Sequence, residues 1–154
     1  VMPFQRRRDG LHLGLAEHER GLLRDLVGQL VTLLEEGDHA DPALERLLPP
    51  GYTGDREAEE EFRRLTVDDL TEGKVRNARA VLASLDVDRR TPLDAATEQA
   101  WLRSLTDLRL TLAARLGTTA EGVIAPTSDD GRVLHSVYEW LGYVQEVLVR
   151  SLSR

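Results

Sequence analysis

Apolar side chains return every three or four residues along most of this chain, the spacing of helices that bury one face; only the first segment follows another rule. From Phe4 to Leu15 two alternating runs, FQRRR and LHLGL, flank Asp9-Gly10, a strong two-residue turn signal, and predict a β-hairpin. Leu11, Leu13 and Leu15 form the apolar face of its second strand, with His12 and Gly14 opposite. A lone hairpin is marginal in water. Those leucines are therefore expected to lie on the helices, on another subunit, or beside a third strand drawn from Val123 to Ala125 or Val133 to Leu134.

The first helix, about Ala16 to Glu36, carries Leu23, Leu26, Val27, Leu30 and Leu34 as a stripe, stops at Gly37 and is expected at the centre of the molecule. Gly21 and Gly28 share one side of it, each costing about 1 kcal/mol relative to alanine. They read as tolerated surface glycines or as room for a close neighbour, either the hairpin or a second subunit. Asp41-Pro42 opens a short helical turn that ends before Pro49-Pro50-Gly51. Asp55 to Leu65 sets acids early and arginines late, as the helix dipole prefers, and Thr66-Val67-Asp68-Asp69 predicts a break and restart there. Leu70, Ala78, Val81, Leu82 and Leu85 supply the next buried face.

Pro92 and Asp94 introduce the strong helix that includes Trp101 to Gly117, and a polar connector from Thr118 to Gly131 leads to a last helix, about Arg132 to Leu152. The predicted fold is mainly α: a bundle of about five to six helices over 16–152 preceded by a short N-terminal β-hairpin over 4–15, one domain over 2–154.

Within the strong helix Trp101, Leu105, Leu108, Leu112 and Leu116 fan out on one face, and Arg109 falls inside the fan. A guanidinium keeps its proton, so a packed Arg109 must find a carboxylate or several carbonyl oxygens. Glu19, placed on the stripe of the first helix, is the expected partner in a structural salt bridge. The alternative is that Arg109 reaches water along its own stem.

Composition narrows the chemistry. The 154 residues suffice for a core without disulfides or metals, and a net charge of −7 disfavours non-specific DNA binding. No cysteine is present, which removes disulfides, thiolate metal sites, thiol nucleophiles and any thiol redox switch from this chain. No apolar run approaches a membrane span or a secretory signal, so a cytoplasmic protein is expected. Of 20 basic residues only Lys74 is lysine.

Chemical motifs are few in this chain. Glu17-His18-Glu19 lacks a second histidine one turn away, and His12, His39 and His135 are scattered, so no metal is expected. The pairs Asp68-Asp69 and Asp129-Asp130 suit capping and loops better than acid/base catalysis. Gly73-Lys74 lacks the glycine-rich loop of a phosphate cradle, and no nucleophile elbow occurs; neither a cofactor nor an enzymatic activity is expected. Arg6, Arg7 and Arg8 are candidate contact residues. Lys74, Arg76, Arg79, Arg89 and Arg90 form a second basic stretch, which Asp86 and Asp88 dilute and which reads as a solvated face.

Four segments together carry a family resemblance: LLRDLVGQLVTLL in the first helix, DPALERLLPPGY from Asp41 to Tyr52, WLRSLTDLRLTLAARLG from Trp101, and YEWLGYVQEVLV from Tyr138 to Val149. They resemble the AosR family, an actinobacterial domain of unknown function named after an oxidative-stress transcriptional regulator. The resemblance covers nearly the whole chain. It implies a cytoplasmic, non-enzymatic regulator that acts by contact with the transcription machinery, such as a sigma factor, with DNA contact secondary. The regulator type is associated with a paired-cysteine sensor, which this chain cannot carry. Trp101, Asp107, Arg109, Arg115 and Trp140 match the family pattern and are expected to serve the architecture. A structural adaptor bundle that homodimerises, with no direct role in transcription, is the alternative.

Overall fold

The computed structural model describes residues 2–38, 40–48, 56–119, 122–123 and 128–152, with the side chains of 56–64, 118–119 and 122–123 outside the description. The hairpin forms, but one residue out of the expected register: β1 (Phe4–Arg7) pairs antiparallel with β2 (Gly10–Leu13), Phe4 opposite Leu13 and Arg7 opposite Gly10, so the two turn residues are Arg8 and Asp9 and Gly10 opens the second strand. Gly10 has φ 137°, and a Cβ there would lie 2.9 Å from the Pro92 side chain, so both the turn and the close approach require glycine. The third partner of the hairpin is neither stretch expected from the sequence. Leu11 forms an isolated antiparallel bridge with Leu93, whose N–H donates to the Leu11 carbonyl at 2.8 Å. Val133 and Leu134 are helical, Val123 pairs with Thr118 in a two-residue ribbon, and 124–125 lie outside the described residues. His12, expected opposite the apolar face, is only 5% exposed, because the segment that carries Arg89 covers that side of the strand.

Among the described residues five helices follow: α1 (Glu17–Glu36), α2 (Pro42–Leu47), α3 (Arg56–Leu85), α4 (Ala95–Leu116) and α5 (Asp129–Leu152). The two-residue strands β3 (Thr118–Thr119) and β4 (Gly122–Val123) sit between the last two helices. Asp41 caps α2 through the Ala43 N–H and Asp94 caps α4 through the Thr97 N–H, as their Asp-initiated patterns predict. Gly117, at φ 82°, closes α4.

The break expected at Thr66 does not occur, and α3 runs unbroken through it. No proline or glycine interrupts Arg64 to Asp69, so the backbone has no reason to leave the helix, and Thr71 donates its hydroxyl to the Val67 carbonyl at 2.7 Å within a regular turn. The last helix starts at Asp129, ahead of the expected Arg132, and Val133 in its second turn is 65% exposed.

One apolar cluster draws on the hairpin (Phe4, Leu11, Leu13) and on all five helices. Its centre is α4 rather than α1, since α4 packs against α1, α2, α3 and α5. Trp101 is fully buried; Phe4 meets its ring edge-on at 5.2 Å, and its Nε1 donates to Ser84 Oγ at 2.8 Å. A single indole thus joins hairpin, α3 and α4, with its one polar atom satisfied.

Candidate functional site

Because α4 touches four helices, its polar side chains decide how those helices are held. Asp107 is 3% exposed and accepts from Lys74 Nζ of α3 at 2.7 Å. Burial pushes the Asp107 carboxyl above its ordinary value, and Lys74 pulls in the opposite direction. The only lysine of the chain is therefore committed to an interior carboxylate. Beside this pair a groove of about 530 Å³ runs between α3 and α4, lined by Leu70, Asn77, Arg103 and Thr106 among others.

Arg109 finds an acceptor, though not the expected one. Its Nη1 donates to Gln145 Oε1 of α5 at 3.0 Å, and its guanidinium lies 5.0 Å over the Tyr138 ring. Gln145 Nε2 in turn donates to Thr106 Oγ1 at 2.7 Å. Gly142 makes room, since a Cβ there would sit 3.3 Å from Arg109 Nη2. Glu19 does not pair with Arg109. It stands in the first turn of α1, where its carboxylate reaches back to the Ala16 N–H at 2.8 Å, while Arg109 is spent on the α5 side of α4.

Arg115 makes a two-pronged contact with Asp41, at 2.6 and 2.9 Å, and so ties the start of α2 to the end of α4. That contact holds the Asp41 carboxyl below its ordinary value, helped by the Ala43 N–H, and raises Arg115. All three charged residues of the WLxxLxDLRLxLxxRLG pattern thus hold α4 to a neighbouring helix.

The structure divides the three candidate contact arginines. Arg6 is engaged, with Nη1 3.1 Å from Glu98 and Nε donating to the Ser151 carbonyl at 3.2 Å, so it fastens the hairpin to α4 and α5. Arg7 and Arg8 are exposed, with Arg7 donating to Gln5 at 3.1 Å. In the later basic stretch acids intervene: Arg79 meets Glu35 at 3.0 Å, Arg89 meets Glu17 at 2.9 Å and Arg90 meets Asp88 at 3.6 Å. His12 meets Asp9 at 2.7 Å and His135 meets Glu139 at 3.6 Å; among the described residues no group of three His, Asp or Glu side chains could hold a metal ion.

Sequence reasoning missed Arg20. The buried stripe of α1 runs Arg20, Leu23, Val27, Leu30, Leu34, one position away from the register that placed Glu19 inward. Arg20 is 3% exposed and donates through Nη2 to the Leu85 carbonyl at 2.6 Å, at the end of α3. Desolvation draws its guanidinium below the ordinary arginine value. The signal was the three-residue step from Arg20 to Leu23, which a stripe drawn through Leu26 obscures.

An apolar surface remains between α1 and α5. Leu22, Val133, Ser136, Val137 and Trp140 line an open groove of about 340 Å³, with Arg132 at its edge. Val133 and Tyr143 are 65% and 48% exposed, so this side of α5 offers apolar area to solvent while Leu141, Val144, Val147 and Leu148 fill the core.

Fold and surface together define a mainly helical bundle capped by a β-hairpin, its patterned charges spent on holding helices and an apolar groove open on one side. The chain belongs to the family described as a domain of unknown function, DUF2017, whose pattern matches residues 1–152. It is similar to the oxidative stress regulator AosR of Mycobacterium tuberculosis and of Mycobacterium bovis, 29% identical to each over 92% of this chain and 83% of the relative. A Mycobacterium leprae protein bearing the AosR name is 29% identical over 90% of this chain and 80% of its own length. These alignments span 174 and 181 positions against 154 residues here, so the relatives carry segments without a counterpart in this chain. No solved structure matches it.

Proposed function

We propose that this protein is a cytoplasmic, non-enzymatic regulator of the oxidative-stress response that acts by protein contact with the transcription machinery, a sigma factor being the expected partner, and without a thiol switch of its own. The observation that carries this reading is the similarity to proteins named oxidative stress regulators over nine-tenths of the chain. The geometry supports a contact function: the groove around Trp140 is open, while Arg6 is already taken up by Glu98. No described helix is long and apolar enough to cross a membrane.

The test is reconstitution. The purified chain is mixed with the RNA polymerase and the individual sigma factors of its own organism, with and without peroxide, and complexes are resolved by size. The reading expects a complex with one of these proteins whose yield is unchanged by peroxide, and absence of any complex contradicts it. The alternative is a homodimerising adaptor; a Cβ added at Gly21 or Gly28 would meet no other described residue within 4 Å, so the hairpin does not pack there and a second subunit would have room. Sedimentation of the chain alone, showing a dimer together with silence toward every transcription protein, would establish that alternative.

A further inference from the structure

His12 is a buried imidazole with both ring nitrogens in use. It stands on β2 opposite Gln5, against the segment 86–94 that links α3 to α4, and its side chain is 7% exposed. Its Nε2 lies 2.7 Å from Asp9 Oδ1 in the hairpin turn, and its Nδ1 lies 3.3 Å from the Arg89 carbonyl in the linking segment. A carbonyl oxygen only accepts, and so does an ionised carboxylate. The hydrogen bond from His12 holds the Asp9 carboxyl below its ordinary value, so Asp9 is ionised near neutral pH. A neutral imidazole has one N–H and one lone pair, and would turn that lone pair on one of the two oxygens. The imidazolium, with two N–H groups, satisfies both.

The other charged groups around the ring are engaged elsewhere or turned to solvent. In the linking segment Asp86 meets Arg24 at 3.3 Å, Arg89 meets Glu17 of α1 at 2.9 Å, Arg90 meets Asp88 at 3.6 Å, and Asp94 caps α4. Arg20 of α1 donates to the Leu85 carbonyl. On the hairpin Arg6 meets Glu98, Arg7 donates to Gln5 and Arg8 is exposed. Among the described residues Asp9 is therefore the one carboxylate within ion-pair distance of the ring. One residue away along β2, the Leu93 N–H donates to the Leu11 carbonyl at 2.8 Å, so the linking segment meets the strand at two adjacent positions.

We propose that His12 is a proton-dependent clasp: doubly protonated, it fastens the segment 86–94 to the hairpin, and loss of one ring proton releases that segment at Arg89. The bond to the Asp9 carboxylate is the shorter and the charge-assisted one, so the neutral ring keeps its remaining proton on Nε2 and gives up the carbonyl. The contribution is present while the ring holds both protons and is lost as pH rises through the His12 titration. Because the released segment carries Arg89, its tie to Glu17 at the start of α1 loosens with it. The clasp needs no partner protein, so its failure and the failure of the regulatory reading are separable.

The experiment uses the full chain. Ring nitrogen NMR of His12 and hydrogen-exchange protection factors of the Leu93 and Leu108 amides are followed from about pH 5 to 8. The expected result is that the Nδ1 proton is lost first, and that the Leu93 protection factor falls with it by about tenfold, as loss of one charge-assisted hydrogen bond implies. Leu108, in the buried face of α4, should keep its protection throughout. His12→Gln retains an amide donor but no titrating proton, and should leave Leu93 protection independent of pH. Asp9→Asn keeps a carbonyl acceptor while removing the counter-charge, and should move the fall to lower pH. Equal Leu93 protection on both sides of the His12 titration, loss of the Nε2 proton before the Nδ1 proton, the same pH dependence in His12→Gln, or a fall that Asp9→Asn leaves in place would each overturn the proposal.

Discussion

At the scale of single residues, the interior of this protein is held by charges whose partners lie far away in sequence. Lys74 and Asp107 are the clearest case: replacing Lys74 by methionine leaves a buried carboxylate without its cation, and urea unfolding should show a loss of about 3 kcal/mol, the low end for a broken buried pair. The double variant Lys74→Met, Asp107→Leu should recover most of that loss. The same pair makes a prediction about pH. Asp107 titrates above its ordinary 3.8 because it is buried, so between 3.8 and its folded-state midpoint the native chain holds a proton that the unfolded chain has shed. Stability from this group should therefore rise as pH falls through that window and be absent above it. Asp41 and Asp94 act in the opposite sense; hydrogen bonds from Arg115 and from the Thr97 N–H hold them below 3.8, and their contribution is lost as pH falls through those lowered midpoints. Carboxyl carbon NMR titration should find the Asp107 midpoint above 3.8, and higher still in Lys74→Met. That Arg109 needs an acceptor was legible in the sequence, whereas the acceptor was not, because a helical repeat fixes which way a residue faces and not what stands opposite. Gln145 carries no charge to announce itself.

At the scale of elements, caps and stops were readable wherever a residue had one physical use. Asp94 before α4, Asp41 before α2 and Gly117 after α4 each took the role its chemistry suggests. Thr66 was not readable in this way, since the same residue caps a helix or sits within one, and only the neighbours of α3 settle which. The two states predict different energetics. In the continuous helix Thr66→Ala should change stability by less than about 0.5 kcal/mol, or raise it, whereas removing a true cap would cost about 1 kcal/mol. The hairpin shows a related limit. Its existence was legible from Asp9-Gly10, but the turn falls one residue earlier, on Arg8-Asp9, and its third partner, the bridge at Leu93, is a contact between segments about eighty residues apart that no local pattern encodes.

At the scale of the whole molecule, hairpin and helices share one core, and the patterned charges of α4 are spent on holding its neighbours, so recognition falls to what remains. Trp101 marks this unity: Trp101→Ala should cost about 3 to 5 kcal/mol and unfold hairpin and bundle in a single transition, seen as coincident far-ultraviolet and fluorescence curves. The apolar groove of Leu22, Val133, Val137 and Trp140 is the remaining surface best suited to a protein partner. The most direct measurement is the affinity of the full chain for the transcription protein captured by reconstitution, compared with Leu22→Glu, Val133→Glu and with Arg7→Ala, Arg8→Ala. The account predicts that the groove variant melts as the parent does yet binds about tenfold or more weakly, as burial of a charge in an apolar contact implies, while the arginine variant binds as the parent. Full-strength binding by the groove variant, or binding lost with the two arginines, would contradict it.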